Sequence, residues 1–219
     1  VSDVKERPII LTAQEVNAVL AGDKTQYRVL SLTDEQVADG YQHCYGVASG
    51  EVIFTKEESN ESFVRDGYVS VKCPFGKIGD RLWVQEQYRP IESLSASEIR
   101  LEYVGGKEIV VKYKNLEDIG ASANDDYVSN ISKWRNAETM PRWASRLLLE
   151  ITDIRIERVK DIKLGDAVAE ACFKFPDNLR LVLTPLVAFS NCWMEKHGDE
   201  SWNRNDWVWV IEFKVIKES

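Results

Sequence analysis

The sequence predicts a mixed α+β fold in which strands dominate and about three helices pack on them. Helix-start signals are few, at Thr12, near Leu164 and at Thr184. Most of the remainder alternates apolar and polar side chains with the period of two that a half-buried strand imposes. Between two such runs sits Gly105-Gly106, a pair suited to a two-residue hairpin turn, whose residues take positive φ.

Thr12-Ala13-Gln14-Glu15 reads as a capping box, a hydroxyl N-cap with a glutamate three residues on. The short helix behind it carries Val16, Val19 and Leu20 as an apolar stripe and ends at Gly22. Arg81 to Tyr88 alternates as a strand, with Glu86 on the same side as Leu82 and Val84. A hairpin is expected over Ile99 to Tyr113, one long strand over Arg146 to Val159, and a second helix over Leu164 to Ala171. Thr184-Pro185 opens a third helix that runs to His197-Gly198, with Leu186, Phe189 and Trp193 on one face. Trp207 to Ile216 is a strand whose Trp207, Trp209, Ile211, Phe213 and Val215 form the core face, so its tryptophans are expected to be structural. Ser31 to Gly50 reads as irregular and Leu116 to Ala137 as a polar inserted loop. Without internal repeats, residues 1–219 are expected to form a single β-rich domain with insertions at about 31–70 and 89–133.

Charge narrows the function classes. With 28 Lys+Arg against 36 Asp+Glu, the net charge of −8 excludes a generically basic, duplex-coating protein. No stretch approaches the roughly 20 apolar residues of a membrane span. The beginning of the sequence lacks a signal peptide's apolar region, so a cytoplasmic location is expected. Cys44, Cys73, Cys172 and Cys192 show no C-x-x-C spacing, and His43 and His197 are not at ligand spacing around them, so no metal is expected and the thiols read as reduced and packed. Glycine-rich phosphate loops and a G-x-S-x-G turn are both absent, which removes common nucleotide-cofactor and serine-hydrolase chemistry; no cofactor is expected.

Two clusters carry candidate chemistry. From Lys133 to Lys160 the chain is locally +3, with Arg142 and Arg146 among its bases and Trp134 and Trp143 interleaved. Arginine forks suit phosphate and indole faces stack on unpaired bases, so the cluster fits single-stranded nucleic acid; it equally fits tryptophans packed under a loop beside a solvated strand face. Lys24, Thr25, Tyr27 and Arg28, in GDKTQYR, gather an amine, two hydroxyls and a guanidinium just after a helix. Such donors favour an anion or a polarised carbonyl, and they also fit an exposed turn. Glu170, in DAVAEAC, is an acid on a short helix with apolar neighbours.

Four ordered blocks, RPIILTAQEVNAVLAGDKTQYR, CPFGKIGDRLWVQEQY, MPRWASRLLLEITDIRIERVKDIKLGDAVAEAC and SWNRNDWVWVIEFKVI, together resemble the ASCH family of the PUA-like superfamily, in the form common in phages and prophages. The resemblance implies a small β-barrel with helices packed on it, a cleft suited to RNA, single-stranded nucleic acid or a modified nucleoside, and, for a phage-encoded chain, a place in the bacterial host cytosol. It implies that Lys24, Thr25 and Tyr27 face the cleft together with Glu170, and that Glu86 carries over from the strand within Gln85-Glu86-Gln87. Lys24 and Glu86, with Arg28, Lys133, Trp134, Arg142, Trp143 and Arg146, form the expected binding set. Some family members remove an acyl group from the exocyclic amine of cytidine. The resemblance to them implies Lys24 as the activating amine, Glu170 as proton donor, and the Thr25 or Tyr27 hydroxyl at the oxyanion. Tyr27 stands where that pattern has a threonine.

Overall fold

The structure, a computed structural model, describes residues 4–48, 51–56, 67–95, 97–112, 132–172 and 184–218. Among them are eleven strands and four α-helices. The strands fall into three sheets, ordered β1-β6-β10-β11-β2, β3-β4-β5 and β7-β8-β9. Among the described residues none of these closes on itself, so the expected β-barrel is not what forms. The strands expected to be barrel members, β6 (Arg81–Gln85), β10 (Leu147–Arg158) and β11 (Trp207–Glu218), are instead consecutive in an open sheet with β1 (Glu6–Ile10) and β2 (Gln26–Leu30) at its ends. Closure needs the two end strands to hydrogen-bond with a fixed stagger, and alternation within single strands does not encode that. The chain divides into two compact units, residues 1–20, 81–149 and 215–219 in the first and residues 21–80 and 150–214 in the second.

In the first unit β1 pairs parallel with β6, from Glu6 opposite Arg81 to Ile10 opposite Gln85. Helix α1 (Ala13–Leu20) follows β1, and its capping box is formed: Glu15 N–H donates to Thr12 Oγ1 at 3.3 Å and Thr12 N–H to Glu15 Oε2 at 2.9 Å. Val16 and Val19 are buried beneath it. The strand expected over Arg81 to Tyr88 is two elements, since β6 ends at Gln85 and β7 (Tyr88–Ser95) starts a new sheet with β8 (Glu98–Tyr103) and β9 (Glu108–Lys112). The hairpin β8-β9 forms, and Gly105 and Gly106 take positive φ of 109° and 83°, but its turn has three residues, Val104 to Gly106, in place of the expected two, since Tyr103 N–H donates to the Lys107 carbonyl at 2.9 Å and Gly106 N–H to the Tyr103 carbonyl at 3.0 Å. Tyr88, Ile99, Leu101, Tyr103, Met140 and Ala144 form the core of this unit, and Trp143 packs against it. The expected polar loop lies outside the described residues as far as residue 131; beyond it, short 3-10 turns occupy Ala137–Thr139 and Arg142–Ala144.

In the second unit β2 runs antiparallel to β11, from Leu30 opposite Val208 to Gln26 opposite Glu212. The stretch from Ser31, expected to be irregular, contains helix α2 (Asp34–Ala38) and strand β3 (His43–Ala48), which pairs with β4 (Glu51–Thr55) and through it with β5 (Val69–Lys72). Helix α3 (Leu164–Ala169) agrees with expectation. Helix α4 (Pro185–Arg204) starts at the Thr184 cap and continues beyond the expected stop, through a kink at Gly198 (φ 81°, ψ 159°) that only glycine adopts without strain. Trp193 Nε1 donates across the kink to Ser201 Oγ at 3.1 Å. Phe189 and Trp193 pack with Val159, Ile162, Ala167, Val208 and Val210. Trp209 is fully buried and Trp207 only partly. No helix among the described residues is long and apolar enough to cross a membrane.

Candidate functional site

The backbone brings Lys24 to Glu170. Thr25 N–H donates to the carbonyl of Ala169 at the end of α3, at 2.9 Å, and Phe213 N–H of β11 donates to the Thr25 carbonyl at 3.0 Å. Thr25 is thereby held between a helix end and a strand, with Lys24 beside Glu170. Lys24 Nζ donates to Glu170 Oε2 at 3.0 Å and to the Glu170 carbonyl at 2.9 Å. The side chains of Lys24 and Glu170 are 2% and 5% exposed, so the contact is desolvated. The expected partners therefore meet, although 146 positions separate them.

Arg28 completes the grip on Glu170, its Nη1 donating to Oε1 at 2.8 Å. Gln26 and Arg28, two apart on β2, share a face, and Arg28 Nη1 also donates to Gln26 Oε1 at 3.1 Å. From there the network spreads to half-buried groups. Arg28 Nη2 donates to Glu157 at 2.6 Å, and Gln26 Nε2 donates to Asp166 at 2.8 Å and to Glu212, its register partner on β11, at 3.0 Å. Arg155 donates to the same Glu212 at 2.6 Å and to Asp166 at 3.1 Å. Burial pushes the Asp166 carboxyl up, but the Gln26 hydrogen bond and the Arg155 and Arg28 charges together outweigh it and leave the group below the usual range. For Arg155, burial pulls down and the hydrogen bond to Glu212 with the charges of Glu157 and Asp166 pulls up further. One donor is left over: Arg28 Nε is buried without a hydrogen-bond acceptor, its guanidinium lying 5.5 Å from the Phe189 ring centroid.

Tyr27 is engaged elsewhere. Its hydroxyl accepts from Lys196 Nζ of α4 at 2.8 Å, and its ring meets Phe75 edge-on at 5.9 Å. Thr25 is exposed. Cys192 Sγ lies 3.6 Å from the Cys172 carbonyl, and the Cys172 thiol is held far above its ordinary range, first by its hydrogen bond with Cys192 and then by burial and the Glu170 charge.

The remaining expected site residues lie in the first unit. Glu86 and Arg146 form a two-pronged pair, Nε to Oε1 at 2.7 Å and Nη2 to Oε2 at 2.8 Å, both side chains almost fully buried. The guanidinium stacks 4.6 Å from the Tyr103 ring. Arg142 donates to Glu6 at 2.8 Å. Lys133 and Trp134 are exposed, and the Arg89 guanidinium lies 4.8 Å from the Trp134 ring. The basic run from Lys133 to Lys160 is thus no single cationic face: two of its arginines are spent on carboxylates of the first unit, and Arg155 belongs to the network of the second.

Sequence reasoning does not reach Gln26, Arg155, Glu157, Asp166, Glu212 or Lys196. A signal exists for part of the set, because Asp153, Arg155 and Glu157 recur at every second position of a long strand, which puts three charges on one face. As a chemical device, the cluster is a desolvated carboxylate oriented by two cations, fringed by more acids than bases, with one arginine donor unused. Comparisons with protein-family models, curated proteins and solved structures find no match for the chain.

Proposed function

We propose that the chain binds nucleic acid by its bases, taking an unpaired base of RNA or another single strand, or a modified nucleoside, at the Glu170 cluster. The observation that carries this reading is the grip of Lys24 and Arg28 on one buried carboxylate. A carboxylate oxygen has two lone-pair sites, so Glu170 keeps acceptor capacity for the exocyclic amine of a cytosine-type base. The unused Arg28 Nε supplies a donor for a ring carbonyl, and burying such a donor unsatisfied is costly without a ligand. Phosphate is the poorer fit, since Lys24, Arg28 and Arg155 already face Asp153, Glu157, Asp166, Glu170 and Glu212, and the chain carries −8 overall. The ASCH resemblance supports the same ligand class. Titration calorimetry with cytidine, uridine and acetylated cytidine tests it. Binding of a cytosine-type ligand with little salt dependence, weakened at least tenfold in Glu170→Gln, is expected. Absence of binding to nucleosides and to short single-stranded RNA at millimolar concentration, or undiminished binding in a folded Glu170→Gln, overturns it.

The 3.0 Å contact of Lys24 with Glu170 also favours a second reading, hydrolysis of an acyl group from the exocyclic amine of cytidine. Water adds to the amide carbonyl, the carbon–nitrogen bond breaks, and the amine leaves with a proton, yielding cytidine and a carboxylic acid. Because the Tyr27 hydroxyl is tied to Lys196, turnover of acetylated cytidine is expected to be slow. Robust cytidine release, abolished in Lys24→Ala, makes hydrolysis the primary activity.

A further inference from the structure

A cavity of about 370 Å³ lies wholly within the first unit, where Leu11, the start of α1, Gln87 and the turn around Ala137 meet. Its polar lining is unusual in composition. Among the described residues no cation lines it, whereas two amide residues, Gln87 and Asn136, and one acid, Glu138, do. None of these three side chains has a hydrogen-bond partner among the described residues, unlike Thr12 at the rim, whose hydroxyl is committed to Glu15.

The two amides are brought side by side by the backbone. Tyr88 and Arg135 form an antiparallel bridge, Arg135 N–H donating to the Tyr88 carbonyl at 2.8 Å and Tyr88 N–H to the Arg135 carbonyl at 3.4 Å. In such a bridge the residue before one partner stands opposite the residue after the other, which puts Gln87 on the side of Asn136. The turn bearing Glu138 is pinned from below by the buried Gln85, whose Nε2 donates to the Glu138 carbonyl at 3.3 Å and to the Met140 carbonyl at 3.1 Å. Apolar surface completes the cavity, including Ile10, which is 45% exposed although it is a large aliphatic side chain. Two residues before Asn136, Trp134 is 46% exposed with Arg89 on its face.

We propose that this cavity is a second base-binding site, selective for an adenine-type base. Paired side-chain amides meet the amine and ring nitrogen of adenine as donor and acceptor at once, and a free carboxylate accepts a further hydrogen bond from an exocyclic amine. Apolar surface suits the faces of a planar ring, and the volume falls in the range of small-molecule pockets. The lack of cations in the lining places any phosphate outside the cavity, which leaves two sources for the base: free adenosine, or an unpaired adenine in a strand whose neighbouring base stacks on Trp134.

The test is calorimetry on the full chain with adenosine, guanosine, uridine and a single-stranded oligoadenylate. Adenosine is expected to bind at least tenfold more tightly than uridine or guanosine. Gln87→Ala and Asn136→Ala, both at exposed positions, are each expected to weaken adenosine about tenfold while the melting temperature stays unchanged. Oligoadenylate binding much more tightly than adenosine, and losing that advantage in Trp134→Ala, identifies a strand as the source; equal affinity identifies the free nucleoside. No adenosine or oligoadenylate binding at millimolar concentration, or unchanged binding in the Gln87→Ala/Asn136→Ala double variant, overturns the proposal. The variants leave Lys24, Arg28 and Glu170 intact, so cytidine binding reports separately on the Glu170 cluster.

Discussion

Each unit buries a glutamate against arginine, and the two solve the problem differently. In the first, Glu86 and Arg146 hold one another through two parallel hydrogen bonds, with Tyr103 as a lid on the guanidinium. In the second, Glu170 shares its charge between Lys24 and Arg28, and the chain of contacts continues outward through Gln26, Glu157, Asp166 and Arg155 toward water. A closed pair has little left to offer a ligand and acts as a packing unit. A branched network with a spare donor and a half-exposed margin can rearrange its hydrogen bonds around a guest.

The largest expected effect comes from opening the closed pair. Arg146→Ala strands the Glu86 charge in the interior and is expected to lower stability by about 3–5 kcal/mol in urea titrations. Arg146→Met combined with Glu86→Leu is expected to recover most of that loss, because apolar side chains replace both ions. Failure of the double variant to recover would mean that the pair does more than fill the core.

In the branched network Glu170→Gln keeps the shape but weakens one charge-assisted hydrogen bond and loses the other, because an amide NH2 cannot accept from Lys24 or Arg28; a smaller loss of about 1–3 kcal/mol is expected, alongside the loss of the proposed ligand binding. A cost as large as that of Arg146→Ala would erase the distinction between the two regions.

Acid separates the units further, because both histidines lie in the second. His197 stacks on Trp193 at 4.1 Å, and burial, followed by the Lys196 charge, pulls its pKa from 6.5 to about 4. Between those values the unfolded chain takes up a proton that the folded chain refuses. Stability present above about pH 6.5 is therefore lost as the pH falls toward about 4, by up to about 3 kcal/mol. Hydrogen exchange across this range is expected to accelerate first in the second unit, and His197→Gln is expected to flatten the dependence.

The smallest effect is expected from Arg142→Ala. Its bond to Glu6 is solvent-exposed, so stability should change by less than about 1 kcal/mol. Since Glu6 already occupies this cation, the salt dependence of binding to single-stranded RNA should shift by less than the roughly 0.7 of a full phosphate contact. A full shift would restore Arg142 to the nucleic-acid interface.

What is legible in the sequence follows the range of the forces involved. The α1 capping box, the positive φ of Gly105 and Gly106 and the core position of Trp209 depend on neighbours within a few residues, and all stand as expected. Helix α2 carries the same kind of local signal in the capping box of Thr33 and Gln36, but its five residues are too few to show a helical period inside a stretch that otherwise reads as irregular. Barrel closure is not legible, because it depends on which strands find partners across the whole chain. The meeting of Lys24 with Glu170 is legible only through family resemblance; no local pattern links them, and their supporting acids arrive from β10, α3 and β11.

The parallel pairing of β1 with β6 has a consequence for the birth of the chain. Glu6 waits for Arg81, so about 75 residues must leave the ribosome before the first strand finds its partner. At translation rates of about 5–20 residues per second, that is an interval of several seconds to about 15 s with a bare strand exposed to other nascent chains. Strand β1 is equipped for the wait: Pro8 has no N–H to offer a stray partner, and Glu6 and Arg7 flank it with charge. Pro8→Val, tolerated once folded at a sheet's end, is therefore expected to reduce soluble yield during synthesis far more than it changes the melting temperature.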